Sequence, residues 1–262
     1  MPPIGIFDSG IGGLSVLSHI HELMPTEDLL YVADSGHLPY GSKTSEYVVQ
    51  RAIAITRFLV EQQGAKAVVV ACNTATAAAV SLLRSKFPIP IIGMEPGVKP
   101  GIKESRSGVV VILATEGTLG SEKFRALLDQ HGNGAEVIVQ PCHGWVEQVE
   151  LAEHDSPETR RMVADQIKPL LKRGADTLVL GCTHYPFLRE TIGTYAGEGI
   201  QVIDTGLAVA QELRRRLRSN NLLGMAKTDG NTQFWSSGSP ERTGRLISRL
   251  WGDPSQVNPL PV

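Results

Sequence analysis

The chain has 262 residues, with 25 Lys and Arg against 27 Asp and Glu, and three cysteines. A formal net charge of −2 excludes a broad electrostatic attraction to nucleic acid or to a membrane surface, and the length allows one large domain or two of ordinary size. Cysteines that are few and odd in number do not make a disulfide framework; reduced thiols in a cytoplasmic protein are expected.

The opening MPPIGIFDSG has no basic segment followed by a long apolar one, so no signal peptide is expected. No apolar run approaches the ~20 residues of a membrane span. Strand-like runs follow at IGIFDSG (4–10), LLYVADSG (29–36), AKAVVVACN (65–73) and IPIIGM (89–94). Amphipathic stretches such as EYVVQRAIAITRFLVEQQG separate them, the pattern of parallel strands covered by helices on both faces. EPGVKPGIKESRSG (95–108) reads as a linker rich in Pro, Gly and charge. Four more runs come after it: VVVILAT (109–115), EVIVQPC (136–142), TLVLGCT (177–183) and IQVIDTG (200–206). AVAQELRRRL then reads as a helix and TQFWSSG as a strand returning to the first unit. The run Arg214-Arg215-Arg216 is expected on a solvated helix face.

The ends of these runs share a rhythm. Asp34, Cys72 and Met94 lie 26, 64 and 86 residues after Asp8; Cys142, Cys182 and Asp204 lie 27, 67 and 89 after Thr115. Such spacing predicts an internal duplication, with one domain at 1–97 plus 208–262 and a second at 98–207. Ligands of open parallel sheets bind at strand carboxyl ends. Cys72 and Cys182 therefore hold equivalent positions and are expected on opposite sides of one small molecule. Each also has a local reason to ionise, because thiols are acidified near helix N-termini. Asn73 and Thr74 are expected to cap a helix over 75–87, and Thr183 one over 186–195 with Pro186 in its first turn.

Other constellations carry less. FDSGIGGLS imitates a dinucleotide fingerprint, with Asp34 near the place of a ribose-binding acid. Yet Ser15 replaces the third glycine, and Asp8 would oppose a pyrophosphate, so a tight turn presenting Asp8 and Ser9 to a small ligand reads better. Seven histidines show no zinc spacing, and a hydrolase built on Cys182 and His184 leaves Cys72 unexplained. No lysine is marked as a pyridoxal phosphate anchor. Two thiols facing one carbon suit inversion of a stereocentre, one removing a proton as thiolate while the other returns one. Asn, Thr and backbone N–H groups at the strand ends would stabilise the developing carbanion.

The segments GIFDSGIGGLSVL, DSGHLPYG, ACNTATA, MEPGVKP, GCTHYP and VIDTG together resemble the glutamate racemase family, from about residue 4 to about 217, with FWSSG as a further match. The resemblance implies an α/β fold of two similar domains, each a mainly parallel sheet flanked by helices, with the active site in the cleft between them. It implies a cofactor-independent isomerase that supplies D-glutamate for bacterial peptidoglycan, and so for the cell wall and cell shape. By motif, Cys72 would deprotonate D-glutamate and Cys182 L-glutamate, with Asp8 assisting the first and His184 the second. In PCHGWVEQVE, Glu150 matches the acid supporting the histidine, although HGW and Glu147 depart from the usual proline-containing segment. Ser9, Tyr40, Gly41, Asn73, Thr74, Thr183 and His184 would contact substrate together with Asp8, and Thr115 and Thr118 are further candidates. No cofactor, metal, nucleic acid or membrane partner is implied. Oligomeric state varies among such enzymes, which leaves a homodimer open. With the first strand starting at residue 4, the N-terminal extension of some regulated members is not expected. A racemase of aspartate, another small amino acid or a hydantoin is the nearest alternative; a thiol-switch binding protein is the more distant one.

Overall fold

A computed structural model describes residues 2–132, 134–224, 228–252 and 255–262. The chain divides into two compact units, Met1–Met94 with Gly206–Val262, and Glu95–Thr205.

The first unit contains β1 (Ile4–Asp8), α1 (Leu14–Leu23), β2 (Leu29–Ala33), α2 (Ser45–Arg57), β3 (Ala67–Val70), α3 (Asn73–Lys86) and β4 (Ile91–Gly93). The second contains α4 (Val98–Glu104), β5 (Val109–Ala114), α5 (Glu116–Leu119), α6 (Glu122–His131), β6 (Glu136–Pro141), α7 (Trp145–Glu150), α8 (Pro157–Lys172), β7 (Thr177–Gly181), α9 (Arg189–Ala196) and β8 (Gln201–Ile203). The chain then returns to the first unit through α10 (Gly206–Ser219), β9 (Thr232–Ser236), α11 (Pro240–Trp251) and β10 (Val257–Pro259).

Both sheets are parallel throughout. The first runs β10-β9-β2-β1-β3-β4 and the second β6-β5-β7-β8. Without the two added edge strands, each sheet has its second strand outermost, then its first, third and fourth. The matching rhythm in the sequence is thus a matching topology. Because parallel strands are covered on both faces, IGIFD, AVVV and TLVLG are buried at every position. In the first unit α2 and α3 pack together on one face, over Phe7, Val32, Val68 and Val70, while α1 packs on α10 and α11. In the second, α4 and α6 cover Val110, Ile112 and Val179, and α8 packs on α7 and α9.

The segment expected to be a linker is largely helix α4. Its composition hid this for two physical reasons. Pro100 falls in the first turn, where a missing N–H costs little. Gly101 lets the helix lie directly on the sheet, since a Cβ there would come within 2.6 Å of Val179. The arginines 214–216 lie on α10 as expected, Arg215 and Arg216 both pairing with Glu212. Among the described residues, no helix is long and apolar enough to cross a membrane.

At the amino ends of β1 and β3, Lys66 and Glu27 form a buried ion pair. The Lys66 N–H donates to the Pro3 carbonyl at 2.9 Å, and Glu27 also accepts the Gly224 N–H. Breaking a buried pair leaves an uncompensated charge. Lys66→Met is therefore expected to lower unfolding stability by about 3–5 kcal/mol, and the double change Glu27→Gln/Lys66→Met by much less. Urea unfolding followed by circular dichroism measures both; equal losses would mean the pair is not what holds this end of the sheet.

Candidate active site

In a sheet ordered second, first, third, fourth, the chain reverses direction between its first and third strands, and a crevice opens there at the carboxyl ends. In the first unit that crevice lies between β1 and β3, and Asp8 with Ser9 meets Cys72, Asn73 and Thr74. All five side chains are buried. Asp8 Oδ2 accepts the Gly13 N–H at 2.8 Å, which turns the carboxylate back over the glycine turn. A Cβ on Gly13 would come within 2.8 Å of Asp8, so the turn needs a glycine at that position.

Cys72 is itself the N-cap of α3, its sulfur accepting the Ala75 N–H at 3.4 Å, with Ser9 Oγ 4.0 Å away. Asn73 and Thr74, expected as the caps, instead occupy the first turn. The displacement has a consequence: neither amide atom of the buried Asn73 has a hydrogen-bond partner in the structure. Tyr40 and Gly41 lie on a one-turn 3-10 segment, Tyr40–Ser42. The Tyr40 ring belongs to the buried cluster that includes Cys72, and its hydroxyl donates to Asp34 at 2.5 Å. Burial, then the Asp34 carboxylate, pushes that phenol up, so it stays a donor.

In the second unit the equivalent crevice lies between β5 and β7. Thr115 caps α5, and its hydroxyl lies 3.1 Å from that of Thr118. Cys182 follows β7 directly. Its sulfur is 3.7 Å from His184 Nδ1, and His184 Nε2 is 2.8 Å from Glu150 Oε1 at the end of α7. The structure thus brings Glu150, rather than Glu147, to the histidine. No helix starts at Cys182, however. A 3-10 turn, Tyr185–Leu188, comes first, with His184 at its cap position, and α9 begins only at Arg189. Thr183 is therefore buried beside the thiol without capping a helix. Local electrostatics differ between the two thiols: a helix N-terminus faces Cys72, whereas an imidazole backed by a carboxylate faces Cys182.

The sequence pattern of the Asp/Glu/Hydantoin racemase family matches residues 4–213. The chain belongs to this family. It is 56% identical to the glutamate racemase of Methylococcus capsulatus over 260 residues, 99% of this chain and 96% of that protein. Its fold is similar to the crystal structure of glutamate racemase isoform RacE1 from Bacillus anthracis, with a TM-score of 0.88, 32% identity, and coverage of 100% and 98% of the two chains. It is likewise similar to Escherichia coli glutamate racemase, whose structure contains L-glutamate and an activator, with a TM-score of 0.88, 30% identity, and coverage of 99% and 98%.

The third cysteine of this racemase-family chain is of a different kind. Cys142 donates to the Gln140 carbonyl at 3.6 Å, and burial, then the neighbouring Cys182, pushes its thiol far up. It stays protonated and packs. Two residues that sequence reading did not single out support the sites: Arg51, which pairs with Asp34, and Tyr185, whose hydroxyl donates to the Cys142 carbonyl at 3.3 Å while its ring meets Trp145 edge to face. Spacing alone carried no signal for Arg51, since it lies within an ordinary amphipathic helix.

Burial alone would push the His184 imidazole down, but its hydrogen bonds to Cys182 and Glu150 outweigh burial and hold it well above 6.5. The protonated ring is therefore favoured in the folded state. Its contribution to stability is fully present below the unfolded value near 6.5 and is lost as pH rises through the higher folded value. Glu150→Gln should lower the His184 titration midpoint and flatten the loss of stability above pH 6.5. Ring nitrogen shifts in a pH titration report the first effect, and unfolding midpoints across pH the second. An unchanged midpoint would deny Glu150 this influence.

Proposed function

We propose that this enzyme interconverts L- and D-glutamate by a two-base mechanism without a cofactor. The observation that carries the reading is the placement of two thiols at the carboxyl ends of the third strands of two sheets with the same strand order. Cys72 acts as the base toward D-glutamate and Cys182 as the base toward L-glutamate. Each thiol returns a proton in the direction opposite to the one in which it takes it. The mechanism requires both thiols to reach one α-carbon from its two faces.

Asp8 and Ser9 assist on the Cys72 side, and the His184–Glu150 pair on the Cys182 side. A protonated His184 stabilises the Cys182 thiolate and the negative charge developing on the substrate. Thr183 and His184 contact substrate beside Cys182, with Thr115 and Thr118 as further contacts. The unpartnered amide of Asn73 supports a substrate contact there, with Thr74 beside it. The N–H groups of Tyr40 and Gly41 grip the distal carboxylate. The names of the relatives and the L-glutamate in the Escherichia coli structure support glutamate as the substrate. A product D-glutamate in the cytoplasm fits supply of bacterial peptidoglycan.

Cofactor-free exchange of the α-hydrogen with inversion, in deuterated water, tests the activity, with L-aspartate as the competing substrate. The kcat/KM for glutamate should exceed that for aspartate, whose second carboxylate lies closer to the α-carbon. The reverse order would overturn the pocket assignment.

The thiols are tested separately. Cys72→Ser and Cys182→Ser should each abolish racemisation, with each lost proton transfer costing on the order of 10²-fold or more. A glutamate analogue with a leaving group on the β-carbon or the nitrogen needs only one base, because elimination replaces reprotonation. Cys72→Ser should still eliminate from the L analogue and fail on the D analogue, and Cys182→Ser should show the mirror preference. If both variants kept the same enantiomer preference, the assignment of two bases would fail.

A further inference from the structure

Building on the glutamate racemase reading, the geometry points to Asp34 and Arg51 as a tether, buried at its carboxylate, that positions the Tyr40–Gly41 turn for the substrate's distal carboxylate. They are positioning residues for substrate specificity. Asp34 follows β2 and is fully buried. Arg51, from the middle of α2, donates through Nε to Asp34 Oδ2 at 2.9 Å and through Nη2 to Oδ1 at 2.8 Å. The same carboxylate accepts the Tyr40 hydroxyl at 2.5 Å, and Arg51 Nη2 also donates to the Val262 carbonyl at 3.1 Å. The Asp34 carbonyl accepts the His37 N–H at 2.9 Å, and the Tyr40 carbonyl accepts the Lys43 N–H at 3.1 Å. Asp34 therefore holds the segment that carries Tyr40 and Gly41 twice, by its carboxylate at the Tyr40 hydroxyl and by its carbonyl at the His37 N–H, while Arg51 ties that carboxylate to α2 and to Val262 beyond β10.

Such a pair is a poor way merely to hold a fold, because apolar residues of similar volume do that at least as well. Its planar bidentate fork supplies direction instead: it sets where the Asp34 oxygens lie, and through them where Tyr40 lies. Tyr40 in turn packs in the cluster that contains Cys72. A small shift of this turn would displace the backbone donors from the distal carboxylate while leaving the groups around the α-carbon in place.

The purified full-length enzyme, with Arg51→Lys and Arg51→Gln, tests the tether. Lysine keeps the charge without the fork, and glutamine removes the charge. The wild type is first assayed with L- and D-glutamate; if it fails to racemise either, the functional reading fails before the tether is examined. With wild-type activity in hand, Arg51→Gln should raise KM for both enantiomers on the order of 10-fold, with kcat within about 3-fold. Arg51→Lys should give a smaller rise. Inhibition by 2-aminopentanoate, which lacks the distal carboxylate, should be unchanged in both variants. Asp34→Asn combined with Arg51→Lys should cost less than the sum of the single changes, since both act on one tether. Should Arg51→Gln not fold, Arg51→Lys carries the same comparison. An unchanged glutamate KM, or an equal weakening of glutamate and 2-aminopentanoate, would overturn the inference.

Discussion

Strand order is the constraint from which the rest of this molecule follows. In each sheet the order of connection reverses between the first and third strands, and apart from the first residue of β5 both strands are buried by helices on either face. Polar side chains cannot be housed along such strands, but they can gather where the strands end and the helices diverge. Asp8 and Cys72 gather there in one unit, and Thr115 and Cys182 in the other. An ion pair elsewhere changes how well these ends are held, but the two parallel sheets determine that the polar groups collect at these ends.

Most of this layout was legible in the sequence because fully buried parallel strands read as continuous apolar runs, and the residue after each run is the one that reaches the crevice. What was hidden had specific causes. Helix α4 was masked by Pro100 and Gly101, which discourage a helix in general but suit a first turn and a close helix–sheet contact here. β10 is three residues long and ends in Pro259, too short to stand out from a loop. Helix α11 opens with Ser239 as its N-cap and Pro240 in its first turn, a start written in the sequence itself. Pro186 suggested a helix directly after Cys182, but it sits in a 3-10 turn. Asp34 was visible as a strand end, whereas its partner Arg51 could be found only once α2 was packed against the end of β2.

The two thiols occupy equivalent positions with unequal support. Cys72 accepts a backbone N–H at the start of a fourteen-residue helix. Cys182 has an imidazole and a carboxylate in series behind it. A racemase acting between enantiomers has an equilibrium constant of one, so kcat/KM must be equal in the two directions. Unequal support therefore cannot favour one product. It can only change how each direction divides its barrier between binding and turnover, which leaves room for the two halves of a duplicated fold to diverge in detail.

The second strand of each sheet shows how far that divergence has gone. Asp34 follows β2 and Cys142 follows β6, so the two hold the same place in the repeat. Asp34 has become an ionic anchor for the turn that carries Tyr40 and Gly41. Cys142 instead keeps a buried, protonated thiol, and its carbonyl takes the hydroxyl of Tyr185, three residues beyond Cys182. Each residue holds a tyrosine hydroxyl near a strand-end thiol, Asp34 by its carboxylate and Cys142 by its backbone carbonyl. Burial keeps the proton on the Cys142 thiol, while its carbonyl holds Tyr185. Position in the repeat thus sorts all three cysteines: those after third strands stand at the crevices, and the one after a second strand supports its neighbour.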